Sequence, residues 1–108
     1  EALKDIKGLQ FPVEKEWAKN VYWMYGVVLE ESLGMDAEQF AKKLADEGVQ
    51  TRPLFYPMHL QPALEKYKQE SLPVSEKIAT YGLYLPSGLG LTKEEITNVA
   101  EAIKKILD

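Results

Sequence analysis

Cysteine is absent from all 108 residues. No disulfide framework and no thiolate zinc site can therefore be built. Histidine occurs once, at His59, so a metal site would need carboxylates for nearly all its ligands. Basic clusters stop at two adjacent lysines, and the formal net charge is -4. That argues against a nucleic-acid-binding module, which usually shows a basic face. No apolar run approaches the length of a membrane span, and no signal-peptide pattern is visible. Freedom from disulfides fits the cytoplasm, which is the expected location. The GxxxxGK[ST] and GxGxxG spacings are missing, and the four serines are scattered with none in a nucleophile elbow. A starting methionine is missing too. The chain opens on Glu1-Ala2-Leu3-Lys4-Asp5-Ile6-Lys7-Gly8, which reads as the last turns of a helix closed by a glycine cap. The chain is therefore expected to be one domain cut from a longer protein.

What is present is ordinary for a globular domain: hydrophobic residues make up 45% and charged residues 28%. Leu9–Phe11 reads as a short extended piece in a loop. Residues 20–30 give the strongest strand signal, rich in β-branched and aromatic side chains. Val21, Trp23, Tyr25, Val27 and Leu29 share one face, with Tyr22, Met24 and Val28 on the other. Apolar residues on both faces imply a strand covered on both sides. Asp36 starts a helix with Gln39 as capping-box partner. Ala37, Phe40, Ala41 and Leu44 form its buried stripe, and Gly48 closes it. A strand follows over about Val49–Phe55. Its prolines, Pro53 and Pro57, belong at a sheet edge or strand end and press their predecessors toward extended geometry.

Pro62–Tyr67 predicts a short helix, and Ser71-Leu72-Pro73 starts another with Val74, Ile78 and Tyr81 inward. Leu83–Leu85 is a short strand stopped by Pro86. The last helix has Thr92 as N-cap and Glu95 three residues on, with Ile96, Val99, Ala100, Ile103, Ile106 and Leu107 on its inner face. The expected class is α+β: a small, mostly antiparallel sheet covered on one face by helices, in two layers.

Chemistry concentrates in the elbow after the middle strand. His59 reads either as a neutral-range acid–base group or as a loop histidine making one structural hydrogen bond. No acidic partner lies near it in sequence. Arg52 reads either as a clamp for a carboxylate or phosphate or as a surface arginine on an edge strand. Phe55 and Tyr56 lie between them. Ser87-Gly88-Leu89-Gly90-Leu91 reads as a turn feeding the last helix.

Three stretches together carry a family likeness. They are Gly48-Val49-Gln50-Thr51-Arg52-Pro53, Tyr56-Pro57-Met58-His59-Leu60-Gln61-Pro62, and Leu85-Pro86-Ser87-Gly88-Leu89-Gly90-Leu91-Thr92. They resemble the C-terminal part of DegT/StrS-type sugar aminotransferases, over about Leu9 to Leu107, and are most similar to the perosamine-forming branch. Leu54-Phe55-Tyr56-Pro57 and Trp23 differ from many relatives and agree with that branch.

The resemblance implies the small C-terminal domain of a fold type I enzyme, with residues 1–8 linking to a large N-terminal domain. Pyridoxal 5'-phosphate would be held by that large domain, which supplies the Schiff-base lysine. This chain would hold no cofactor and no metal, would contribute no catalytic residue, and would be inactive alone. The intact enzyme would be a homodimer that moves an amino group from glutamate to a nucleotide-linked 4-keto-6-deoxy sugar, for cell-surface polysaccharide. His59, Arg52, Phe55 and Tyr56 would touch that nucleotide sugar. Two other readings stay open on the residues: a free-standing interaction module using its aromatic edge, and a fold type I enzyme acting on amino acids.

Overall fold

Helix α1 (Ala37–Asp46) shows how closely local signals set the elements. The Asp36 carboxylate accepts from the Gln39 amide at 2.8 Å, and the Gln39 side chain accepts from the Asp36 amide at 3.0 Å. Two otherwise orphaned donors are satisfied reciprocally. Ala37, Phe40 and Leu44 turn inward. Gly48 then takes φ +80°, a left-handed value that a glycine adopts without steric cost. The reversal lets the Val49 amide bond back to the Leu44 carbonyl at 2.8 Å, and Val49 enters the core.

The computed structural model describes residues 2–67 and 71–108. Its other elements are β1 (Leu9–Gln10), β2 (Tyr25–Leu29), β3 (Arg52–Pro53), α2 (Pro73–Tyr81), β4 (Gly82–Leu85) and α3 (Lys93–Leu107). The four strands form one sheet in the order β1-β2-β4-β3, antiparallel throughout. Val27 faces Leu83 and Tyr25 faces Leu85 across the central pair. Helices α1 and α3 pack on one face of this sheet, giving the expected two-layer α+β arrangement. Phe40, Leu29, Leu44, Leu83, Ile103 and Val27 are sealed between the layers. Each such side chain stabilises the fold by roughly 1.5–3 kcal/mol relative to exposure. Lys105 near the end of α3 reaches the Glu47 carboxylate at 2.7 Å, tying it to the end of α1.

The second face of the sheet is where glycine is required. Gly26 and Gly82 lie on it with Tyr84, and the Leu54 side chain fills the space their missing side chains leave. Phe55 meets Tyr84 edge-on at 5.8 Å between ring centroids. So the residues after β3 fold back over the sheet and cover part of the face opposite the helices.

Several expectations change. The strand over residues 20–30 is only Tyr25–Leu29. Asn20 accepts from the Tyr22 amide at 2.8 Å, and Tyr22 takes φ +49°. This local turn outcompetes the strand, so Val21 and Trp23 are exposed rather than facing the core with Val27 and Leu29. Tyr22 stacks on Tyr25. The middle strand shrinks to Arg52–Pro53, because Pro53 lacks the N–H a longer ladder needs. It does form the sheet edge.

Residues 2–5 form turns, not a helix end. Pro62–Tyr67 is a 3-10 helix. In α2 only Tyr81 packs on the core, while Val74 is 71% exposed and Ile78 is open as well. That helix runs straight into β4 with no loop, so the strand's direction fixes its path. The α3 capping box forms as expected, but Ile96 is exposed and Ala102 is buried in its place.

Candidate functional site

The four residues singled out in sequence lie on one continuous stretch of chain, yet they do not converge on one hollow. Arg52 projects from edge strand β3 into a cleft of about 720 Å3 between that strand, the loop after β4 and the start of α3. Met24, Thr51, Tyr84 and Ser87 also line it. Two carboxylates share the cleft, Glu47 and Glu95. Both are committed elsewhere: Glu47 binds Lys105, and Glu95 accepts from the Thr92 amide at 2.7 Å. Among the described residues Arg52 has no carboxylate partner. Its guanidinium is therefore the uncommitted charge of the cleft, and its fork suits an oxyanion.

Phe55 and Tyr56 are both exposed on the outer side of the elbow. The elbow itself is built tightly. Pro57 is buried, and the Leu60 amide bonds the Pro57 carbonyl at 3.0 Å. The Gln61 side-chain amide reaches back to the Tyr56 carbonyl at 3.3 Å. His59 lines a different, smaller hollow with Pro57, Leu64, Tyr67 and Leu72. Only 10% of its side chain is exposed.

The partner of His59 is a carboxylate that sequence reasoning missed. Its Nε2 lies 2.8 Å from Glu76 Oε1 in the first turn of α2. The same oxygen accepts from the Ser71 hydroxyl and from the Leu72 amide, both at 3.1 Å. The His59 hydrogen bond, helped by those two donors, holds the Glu76 carboxyl below its usual value of 4.5. A signal existed: an acidic residue in the first turn after Ser71-Leu72-Pro73 is a helix-start feature. Nothing in the spacing tied it to a histidine on the far side of two turns.

Helix N-termini are the natural anion sites. Here each already has a carboxylate accepting from one terminal amide: Asp36 from Gln39 at α1, Glu76 from Leu72 at α2 and Glu95 from Thr92 at α3. A phosphate would meet like charge at all three. No lysine among the described residues is buried, whereas a lysine activated as a nucleophile is desolvated. No group of three or more His, Cys, Asp or Glu among them is placed to hold a metal.

A model of the DegT/DnrJ/EryC1/StrS aminotransferase family matches residues 1–104. The chain belongs to that family. Among curated members it is 36% identical over 89 residues to GDP-perosamine synthase of Caulobacter vibrioides, covering 82% of this chain and 24% of that protein. It is 32% identical over 104 residues to GDP-perosamine synthase of Escherichia coli O157:H7, covering 94% and 28%. Among solved structures, the aminotransferase TlmJ from Streptoalloteichus hindustanus superposes with a TM-score of 0.83 at 27% identity, over 98% of this chain and 28% of that one. The chain thus spans about a quarter of the length of the family members it matches.

Proposed function

We propose that this chain is the small C-terminal domain of a pyridoxal-phosphate-dependent sugar aminotransferase. In this reading the enzyme transfers an amino group from glutamate to a nucleotide-linked 4-keto-6-deoxy sugar of the perosamine type, on the way to cell-surface polysaccharide. The observation that carries it is the family match along nearly the whole chain, together with the 36% identity to a GDP-perosamine synthase. The cofactor supplies the electronic chemistry of amino transfer. It is bound by a large N-terminal domain rather than by this chain, a reading supported by the carboxylate that accepts from a terminal amide at each of the three α-helix N-termini. The enzyme works as a homodimer in the cytoplasm.

This chain's part is recognition. Arg52, without a carboxylate partner among the described residues, takes the pyrophosphate of the nucleotide sugar. Phe55, Tyr56 and His59, on the elbow held by Pro57 and Gln61, meet the rest of it. Both tryptophans stand out from the segment before β2, Trp17 between the bridged Lys15 and Ala18 at 86% and Trp23 at 74% exposure. With Val21 they form the surface that contacts the large domain.

Two experiments test this. In the longer protein, Arg52→Ala weakens nucleotide-sugar binding by roughly ten- to a hundredfold, the loss of one charged hydrogen bond of about 1.5–3 kcal/mol, and His59→Ala weakens it by about tenfold. The glutamate half-reaction changes less. Wild-type sugar affinity in both variants, or a glutamate half-reaction that collapses first, refutes the assignment. The isolated chain mixed with pyridoxal phosphate shows no stoichiometric visible band after gel filtration. A band that survives overturns the absence of a cofactor site.

A further inference from the structure

The contact between His59 and Glu76 does more than anchor a loop. Glu76 is ionised at neutral pH, because three donors converge on Oε1 and hold its carboxyl low. An ionised carboxylate only accepts. The nitrogen facing it must therefore carry a proton, so Nε2 is the donor of this contact. In the neutral ring, that leaves Nδ1 as a bare acceptor. Among the described residues nothing donates to Nδ1, and no fully buried side-chain nitrogen or oxygen among them lacks a partner. Among the described residues, Nδ1 is thus left without a partner on a side chain that lines the hollow.

We propose that Glu76 is a positioning residue that fixes His59 as a hydrogen-bond acceptor, which reads a hydroxyl of the sugar and not the pyrophosphate. The proposal rests on the nucleotide-sugar reading above and divides its contacts. Phosphate oxygens are acceptors, and an imidazole nitrogen that is itself an acceptor gains nothing from them. A sugar hydroxyl donates. Arg52, which has only donors, is suited to the phosphates. Orientation of an imidazole by a carboxylate on its other nitrogen is a general device, because the far hydrogen bond decides the tautomer and the ring plane.

Geometry adds a second reason. His59 and Glu76 lie at the two ends of an excursion running from the elbow to α2. Ser71 and Leu72, which enter α2, donate to the same Glu76 oxygen. One carboxylate therefore fixes where the excursion ends and where the imidazole points. Its loss would free both.

The test uses the longer, cofactor-loaded protein and two probes, GDP-perosamine and GDP alone. His59→Ala and Glu76→Ala each weaken GDP-perosamine by about tenfold and leave GDP within about twofold. Glu76→Gln, whose amide oxygen still accepts, recovers most of the loss. The double variant is no weaker than either single one. Ring 15N shifts, with His59 assigned by its absence in His59→Ala, show Nε2–H in the wild type and a tautomer mixture in Glu76→Ala.

Glu76→Ala with an unchanged tautomer and unchanged affinity overturns the positioning role. Equal loss for GDP and GDP-perosamine in His59→Ala overturns the hydroxyl assignment. If His59→Ala leaves both affinities intact while Arg52→Ala does too, the nucleotide-sugar reading falls and this inference with it. If Arg52→Ala alone weakens binding, that reading survives and only the role of His59 is lost.

Discussion

Replacing Gly82 by alanine tests the packing on which the elbow depends. A Cβ built at this position lies 3.0 Å from Leu54 Cγ, and closer still to Leu54 Cδ1 and the Ile78 carbonyl oxygen. The backbone at Gly82 is ordinary extended chain, φ -103° and ψ 145°, so alanine suffers no conformational penalty. The whole cost is steric. Leu54 can rotate away, but the Ile78 carbonyl is backbone and accepts the bond that ends α2. Overpacking of this kind costs about 3 kcal/mol, offset by about 0.5 kcal/mol for the lower entropy of an unfolded alanine.

Gly26 is the internal control. Its nearest neighbours, Leu54 and Tyr84, stand at 3.5 Å, an ordinary contact, and Gly26→Ala should stay within about 0.5 kcal/mol of the parent. Urea unfolding measures both. With a slope of about 1–2 kcal/mol per molar, Gly82→Ala lowers the midpoint by more than about 1 M and Gly26→Ala barely moves it. Adding Leu54→Ala removes one of the two clashes, so Gly82→Ala costs less in that background but still costs. Equal midpoints for the two alanine variants would refute the placement of Leu54 over the sheet, and with it the fold-back of the elbow.

Thr92→Ala removes the hydroxyl that caps α3 from the Glu95 amide. It should cost about 1 kcal/mol, read as a fall of about 4 °C in the thermal midpoint. Acid stability follows from two glutamates. Glu76 and Glu95 are both held below the ordinary 4.5, by His59 and by Thr92 respectively. A carboxyl depressed in the folded state stabilises above its unfolded value and loses that contribution as pH falls through its folded value. Unfolding titrations from pH 6 downward should therefore steepen below about 4.5, and Glu76→Gln and Glu95→Gln should each flatten that limb. A limb unchanged in both variants would refute the two hydrogen-bond assignments.

Legibility in the sequence followed the range of the interaction. Both capping boxes were readable because donor and acceptor sit three residues apart, at Asp36 with Gln39 and at Thr92 with Glu95. The edge position of β3 was readable because Pro53 forbids a central place. The left-handed turn at Gly48 was readable from the end of the α1 stripe. What failed was set by tertiary partners or by competing local bonds. Val21 and Trp23 have every mark of strand residues, but Asn20 turns the chain before the ladder starts. Val74 and Ile78 have helical spacing, but α2 continues directly into β4, which leaves no freedom to turn that face inward. Among the candidate residues, Arg52 and His59 stand out by residue type, with Phe55 and Tyr56 between them in the chain. Their division between two hollows was not readable, and Glu76 was hidden because its link to His59 spans an excursion whose path no local pattern fixes.

The strand order has a consequence for synthesis. Strand β2 is the inner strand of the N-terminal half, and its main partner, β4, emerges from the ribosome only after about half the chain has followed. Beside it at first lies only β1, two residues long. At elongation rates of about 5–20 residues per second the edge of Tyr25–Leu29 that will meet β4 stays bare for a period on the order of several seconds. A bare apolar edge is a template for pairing with other chains. Helix α1 is complete early and can shield one face of β2 meanwhile, but within this sheet the edge is satisfied only by β4. A translational pause anywhere between α1 and β4 therefore lengthens the most aggregation-prone moment in the life of this chain.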